Sequence, residues 1–166
     1  MNVRLVVTTI LLAGAALDAS FAQMDPEDEI RSLSGIKDYG LVIDLESALP
    51  EGAEGLEPSV WRERLSERLR VLTGRAPSTN VDPTEDTHLY VHLNAMSVGE
   101  QLVPFSIKAS FVQPVRIPGG SRMMAITWET GLVGLVSIGE LRQVLDAAVG
   151  VVEEFASDMA QAEILD

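Results

Sequence analysis

The two histidines are the first residues of the sequence whose chemistry suggests a site. His88 and His92 lie on one side of a segment with the alternation of a β-strand, and Tyr90 lies between them. Four residues of a strand span about 13 Å, so the two imidazoles cannot share one zinc ion without ligands from elsewhere. A mixed site, one histidine with Asp44 or Glu129 of a neighbouring strand, is the alternative. The pattern favours a solvated sheet face, and we predict no metal and no cofactor.

A pair of carboxylates is the second candidate. Asp44 and Glu46 project from the same side of another predicted strand, about 7 Å apart, a separation that suits two catalytic carboxylates. An open sheet face is a poor place for that role, because burial is what raises a carboxyl pKa. Ser106 and Ser110 lack the G-x-S-x-G context of a nucleophilic serine. We therefore predict no catalytic residue, and the sequence favours a protein that is not an enzyme.

A glycine-rich stretch, AITWETGLVGLVSIGELR, has the order strand, glycines, helix that phosphate-binding loops use. Its glycines are three and five residues apart, which does not fit G-x-G-x-x-G, and no returning parallel strand completes a βαβ unit. Glu140 stands where a P-loop has a lysine. We interpret the stretch as a strand that bends or bulges at Gly131 and leads into a helix capped by Ser137.

Length and composition limit the function classes. The sequence has 166 residues, 46 % of them apolar, which suits one domain with a substantial core. Its 25 acidic and 12 basic residues give a formal net charge of −13. Such a surface repels nucleic acids and anionic lipid headgroups, because phosphate binding requires clustered lysine and arginine. There is no cysteine, so neither a disulfide nor a cysteine-linked lipid anchor is available.

The first residues predict the compartment. One basic residue, Arg4, precedes an apolar run over 5–17, and Ser20 and Ala22 are small residues at the spacing of a cleavage site. The pattern predicts a secretory signal peptide over 1–22 and therefore export to the periplasm or the extracellular space. The apolar run is short for a membrane span, and an uncleaved anchor is the alternative. We expect no membrane span after cleavage.

The candidate residues need a sheet to position them. Four segments alternate between apolar and polar residues as strands do: IKDYGLVIDLES, THLYVHLNAMSV, PFSIKASFVQPVRI and SRMMAITWETG. In the last segment we expect Met124, Ile126 and Trp128 on the apolar face and Thr127 and Glu129 on the other. Two further segments carry apolar residues at helical spacing: PSVWRERLSERLRVL and 138–161.

These elements predict one α+β domain over 36–162, preceded by an acidic tether over 23–35. The element order is β-α-(β)-β-β-β-α, in which RAPSTNVDPTED holds the optional short edge strand. One apolar sheet face and two amphipathic helices predict a two-layer sandwich. In it we expect a mostly antiparallel sheet of four to five strands, both helices on one face, and a hydrated opposite face.

Several segments together resemble a family of small bacterial exported proteins of uncharacterised activity: LYVHLNAM, PFSIKASFVQPVRI, AITWETGLVG and LRQVLDAAVGVVEEFASDMAQA. The resemblance covers about residues 33–162 and includes a strand centred on Trp128 that ends in Thr-Gly. It implies a signal peptide and one domain, and it supplies no catalytic residues. The element order also resembles envelope modules of the TolB amino-terminal type, which implies a protein that acts by contacting partners. GRAPSTN departs from that pattern, because it lacks the apolar short strand that such modules have after the first helix.

The function predicted from these observations is that of a non-catalytic exported module that binds a protein partner in the cell envelope. We expect docking through the polar sheet face, at Asp44, Tyr90, His92 and Lys108, or through an unpaired strand edge. Two alternatives stay open: a metal-dependent or hydrolytic enzyme that uses the same face, and a small-ligand-binding domain with a cavity between helices and sheet. The sequence predicts no nucleic-acid partner and no particular oligomeric state.

Overall fold

The computed structural model of the chain describes residues 25–49, 56–99 and 101–165. The predicted signal peptide over 1–22 lies outside the described residues and stays a prediction. The elements in chain order are α1 (Pro26–Arg31), β1 (Gly40–Ala48), α2 (Pro58–Thr73), β2 (His88–Met96), β3 (Leu102–Arg116), β4 (Arg122–Ser137) and α3 (Arg142–Leu165). A 3₁₀ turn, Ile138–Glu140, separates β4 from α3, which therefore begins later than predicted.

The four strands form one mixed sheet in the order β1-β2-β3-β4. β1 and β2 are parallel and are connected through α2, whereas β2–β3 and β3–β4 are antiparallel. The predicted α+β class is confirmed, and the prediction of a mostly antiparallel sheet is wrong. The parallel pair follows from the connection, because a helix between two strands returns the chain to the end at which the first strand began.

Two segments outside the predicted elements have local structure. The acidic tether contains α1, where the Asp25 carboxylate accepts a hydrogen bond from the Glu27 N–H at 3.0 Å and caps the first turn. The optional edge strand is reduced to one bridge at Ser78. There the Leu41 N–H donates to the Ser78 carbonyl at 2.9 Å, and the Ser78 N–H donates to the Tyr39 carbonyl at 2.9 Å. GRAPSTN has no alternating apolar residues to bury, so the pairing stops there.

A single apolar core lies against one face of the sheet. Its strand residues alternate along each strand, and those at the centre of β2 are the fully buried Leu89, Val91 and Leu93. The buried residues of both long helices belong to the same cluster, among them Trp61, Leu65 and Leu69 of α2 and Val144, Val152 and Phe155 of α3. The opposite face of the sheet carries polar side chains at its centre and exposed apolar side chains on β4.

A bulge in β4 changes which of its residues face the core. Phe111 of β3 pairs with Trp128, but the next residue of β3 pairs with Ile126, so Thr127 is an extra residue in β4. Trp128 is therefore buried, whereas Ile126 is 50 % exposed and Thr127 is buried. The prediction that Met124, Ile126 and Trp128 share the apolar face, opposite Thr127, is wrong because the bulge interrupts the alternation.

Candidate functional site

The outer face of the sheet is the side opposite the core. Its central side chains are Asp44 and Glu46 of β1, Tyr90, His92 and Asn94 of β2, Ser106, Lys108 and Ser110 of β3, and Glu129, Val133 and Leu135 of β4. The strand register places Asp44, His92 and Lys108 side by side on β1, β2 and β3. Tyr90 lies next to them on β2. All four residues predicted to dock a partner therefore lie on the outer face.

Tyr90 is held by Asp44 and by the neighbouring imidazole. Its hydroxyl donates a hydrogen bond to Asp44 Oδ2 at 2.7 Å, and its ring lies nearly parallel to that of His92, with ring centroids 6.2 Å apart. Burial, then the hydrogen bond to Asp44 and the charges of Asp44 and Glu46, raise the pKa of Tyr90 to about 12. The phenol therefore stays neutral at physiological pH and acts as a donor that orients the Asp44 carboxylate.

Three potential metal ligands converge beside Tyr90. His92 Nε2 lies 3.7 Å from Glu46 Oε2, and one ligand atom from each of Asp44, Glu46 and His92 lies within 4.8 Å of the other two. Within 25–49, 56–99 and 101–165, this is the one group of three such residues that could hold a metal ion. The structure thus assembles the mixed set of a histidine with Asp44. It adds Glu46, which the sequence pattern suggests only as a catalytic partner of Asp44.

The second histidine does not join this group. His88 is only 3 % exposed, and its Nδ1 lies 2.7 Å from the carbonyl oxygen of Asp86. The interpretation that placed both histidines on a solvated sheet face is therefore wrong for His88. Alternation predicts the face on which a residue lies, but it does not predict what covers that face at the end of a strand.

Lys108 is directed away from the three potential ligands. Its Nζ lies 2.7 Å from Glu129 Oε2 on β4, so of the two carboxylates considered from the sequence it pairs with Glu129 and not with Asp44. Both side chains are about half exposed, and such a pair contributes roughly 0.2–1 kcal/mol to stability. The pair connects the predicted docking residues to β4.

The free edge of the sheet is β4. It pairs with β3 from Arg122 to Ser137 and has no bulge at Gly131, one of the two irregularities predicted there, while no described strand pairs with its other side. Its last eight residues, TGLVGLVS, carry no charge. The outward side chains Val133 and Leu135 are 84 % and 61 % exposed. The sequence pattern predicts this run only as the continuation of a strand; the signal that indicates more is an uncharged strand at the end of a sheet.

Several surface depressions of the described residues are large enough for a ligand, among them two of more than 600 Å³. One, of about 630 Å³, lies on the outer face and is bordered by His92, Lys108, Glu129 and Val133, among others. The other, of about 610 Å³, opens near the start of β1, where three basic and three acidic side chains mix: Lys37, Arg75, Arg122, Asp38, Glu85 and Asp86. Because the basic and acidic side chains are equal in number, this depression favours neither an anionic nor a cationic ligand. Neither depression lies between the helices and the sheet, where the small-ligand alternative expects its cavity.

None of the helices within the described residues has both the length and the apolar character needed to cross a membrane. The predicted export and the resemblance to envelope modules stay predictions, since the fold and the outer face do not test them. No protein-family model matches the sequence, and no curated protein matches it.

Proposed function

We propose that the protein is a non-catalytic, exported interaction module of the cell envelope that binds an extended segment of a partner protein along the free edge of β4. The observation that carries this function is the uncharged edge over 130–137, with Val133 and Leu135 exposed. Export is taken from the predicted signal peptide. The domain is taken as a two-layer sandwich with α2 and α3 on its core face, which the single core cluster supports.

The β4 edge has the two properties that strand addition requires. An unpaired strand presents a row of N–H and C=O groups that another strand can pair with, and domains ordinarily protect such edges with charges, prolines or short strands. β4 is sixteen residues long, and after Glu129 it has neither a charge nor a proline. The side chains of Val133 and Leu135 both lie on the outer face. Every second side chain of an added strand lies on that face too and can contact them. Backbone pairing thus supplies affinity and these side chains supply specificity.

The charges near the edge define the partner segment. Glu129 lies on the outer face, and two carboxylates of α3 approach β4 from the core side. Glu154 accepts a hydrogen bond from the Thr130 hydroxyl at 3.0 Å, and Asp158 accepts one from the Trp128 indole N–H at 2.9 Å. An added strand that alternates apolar residues with lysine or arginine complements this edge. A second copy of the chain is a poor occupant, because both copies carry a net charge of −13.

The four residues predicted from the sequence lie at different distances from this docking surface. Lys108 is nearest, because its ion pair with Glu129 joins β3 to β4. Asp44 lies on the opposite edge strand, about 14 Å from β4 at the usual strand spacing. A partner strand on β4 therefore contacts the Lys108–Glu129 pair directly, and it reaches Tyr90, His92 and Asp44 only if its flanking residues fold over the outer face.

A short peptide of alternating valine and lysine tests this function. We expect it to shift the backbone amide signals of β4 in ¹⁵N-labelled protein, and to bind about tenfold more tightly than a valine–glutamate peptide of equal length. Val133→Lys should abolish the binding. Ile164→Lys on α3 is the matched control, because Ile164 is 83 % exposed against 84 % for Val133, and it should bind the peptide as the wild type does.

Three outcomes would contradict the function. Equal affinity for the two peptides would remove charge complementarity, and amide shifts centred on β1 would place the binding on the wrong edge. If the protein dimerises without peptide and Val133→Lys makes it monomeric, the occupant of the edge is a second copy of the chain and not a partner segment.

A further inference from the structure

We infer that Asp44, Glu46 and His92 form a binding site for one divalent transition-metal ion, with zinc as the preferred ion. The three residues lie on β1 and β2, whereas the proposed docking uses the other edge of the sheet. The site therefore goes beyond the proposed function and does not depend on it.

The positions of the three residues suit one ion. Asp44 and His92 are register neighbours on two parallel strands, and Glu46 follows on the same face of β1. In a tetrahedral site with metal–ligand bonds of about 2.0 Å, the ligand atoms are about 3.3 Å apart. His92 Nε2 and Glu46 Oε2 are already 3.7 Å apart, and no pair of ligand atoms is separated by more than 4.8 Å. The Glu46 side chain is 63 % exposed, so its rotation can close the remaining gap without moving the backbone.

Two of the three ligands are oriented by Tyr90. Its hydroxyl occupies Asp44 Oδ2 at 2.7 Å, which leaves Oδ1 for the ion. Its ring packs almost parallel against the imidazole of His92. Hydrogen bonds to ligating carboxylates fix their direction and are a regular feature of metal sites. Tyr90 is thus a positioning residue, and it is not itself a ligand.

The donor set selects the class of ion. One imidazole nitrogen with two carboxylate oxygens suits zinc and its neighbours in the first transition row, whereas calcium and magnesium prefer oxygen ligands alone. The two carboxylates offset the charge of the ion. The nearest cation by register is Lys108, and its ammonium lies against Glu129 at 2.7 Å instead. Three protein ligands on an exposed face leave a fourth position open to solvent.

The native pair of histidines gives a direct test. Purified protein without a histidine tag is freed of metal with a chelator and titrated with zinc chloride, while the ¹H–¹⁵N signals of both imidazoles are followed. We expect the His92 signals to move and those of the buried His88 on the same strand to stay. The titration should saturate at one ion per chain.

Competition with a chelating dye measures the affinity of variants. His92→Ala and Glu46→Gln should each bind zinc at least about tenfold more weakly; Glu46 is exposed, so its substitution leaves the core intact. Asp146→Asn on α3 removes one exposed carboxylate elsewhere and should bind within about twofold of wild type. The inference is overturned if binding does not saturate, if both site variants bind as tightly as wild type, or if Asp146→Asn weakens binding equally.

Discussion

The two edges of the sheet differ in the properties that control strand pairing. β1 has nine residues, presents Asp44 and Glu46 on the outer face, and is bridged at its start to Ser78. β4 has sixteen residues and no charge after Glu129. Near the β4 bulge the Ser32 hydroxyl donates to the Thr127 carbonyl at 2.9 Å, and no described strand covers the rest of that edge. One edge is protected against strand addition and the other is open.

The difference separates two kinds of binding on one sheet. The carboxylates that keep a strand from adding to β1 are the same groups that can ligate a cation. On β4, Val133 and Leu135 bury little surface in this fold, so they contribute little to the stability of the domain. A contiguous exposed apolar patch indicates an interaction surface more than any single exposed apolar residue does.

The largest effect is expected when β1 is made similar to β4. Asp44→Val with Glu46→Val removes the protective charges, so we expect β1 to pair with the valine–lysine peptide as β4 does, and the backbone amide signals of β1 in ¹⁵N-labelled protein to shift with it. Asp146→Val with Glu63→Val removes two exposed helix carboxylates and should leave the β1 signals unmoved by the peptide. If β1 shifts equally in this control, its own carboxylates do not protect it and the contrast between the edges fails.

A smaller effect is expected when one glycine of each edge strand is replaced by alanine, which adds a methyl group. A Cβ at Gly131 would lie 2.7 Å from the Ile107 carbonyl oxygen, whereas at Gly40 it would overlap a methyl group of Val81. The first contact involves backbone and the second a half-buried side chain. We expect Gly131→Ala to lower the free energy of unfolding by about 2 kcal/mol and Gly40→Ala by about 1 kcal/mol in urea titrations. Equal losses of stability would show that the backbone beside Gly131 adjusts to a methyl group as easily as the Val81 side chain beside Gly40 does.

The repeating part of the fold could be predicted from local sequence. Leu89, Val91 and Leu93 alternate along β2, and Trp61, Leu65 and Leu69 recur at helical spacing in α2; all six are buried. The bulge at Thr127 could not be predicted in this way. It is a property of the register between β3 and β4, and the composition of one strand does not encode it.

The candidate site was predictable only as a face. Alternation places Asp44 and Glu46 together, and Tyr90 with His92, on polar sides of two strands. That these strands are neighbours, in the register that puts Asp44 beside His92, requires the parallel pairing formed through α2. Lys108 pairs with Glu129 and not with Asp44, and this too depends on long-range pairing of the strands.

The hydrogen bond between Tyr90 and Asp44 allows a smaller test of the charged β1 edge. Tyr90→Phe removes the donor to Asp44 and keeps the ring against His92. We expect it to lower the free energy of unfolding by about 1 kcal/mol in chemical denaturation. Ser110→Ala is a control on the same face in the neighbouring strand. If it lowers the free energy of unfolding equally, the hydrogen bond to Asp44 contributes no more than another polar group of this face.

The same phenol predicts a pH dependence. Its pKa is about 12 in the folded protein against an ordinary 10.0, so the folded state holds the proton more tightly than the unfolded state. The resulting stabilisation is complete below pH 10 and is lost as the pH rises through about 12. Burial also raises the pKa of Tyr39, so absorbance at the tyrosinate band is best followed in Tyr39→Phe with chelator present. Asp44→Asn should lower the pKa of Tyr90 towards 10.0, and an unchanged titration would rule out the Asp44 charge as a cause.

The smallest effect on stability is expected at the junction of the two regions. Lys108→Met breaks the half-exposed pair with Glu129 and should change the free energy of unfolding by less than about 1 kcal/mol. It also frees the Glu129 carboxylate for a basic strand on β4, so the valine–lysine peptide should bind about twofold more tightly. Arg62→Met on α2 makes the same change in net charge far from the edge and should leave the peptide affinity unchanged. A gain in both variants would assign the attraction to the whole acidic surface, and only a gain confined to Lys108→Met places it on the carboxylate beside β4.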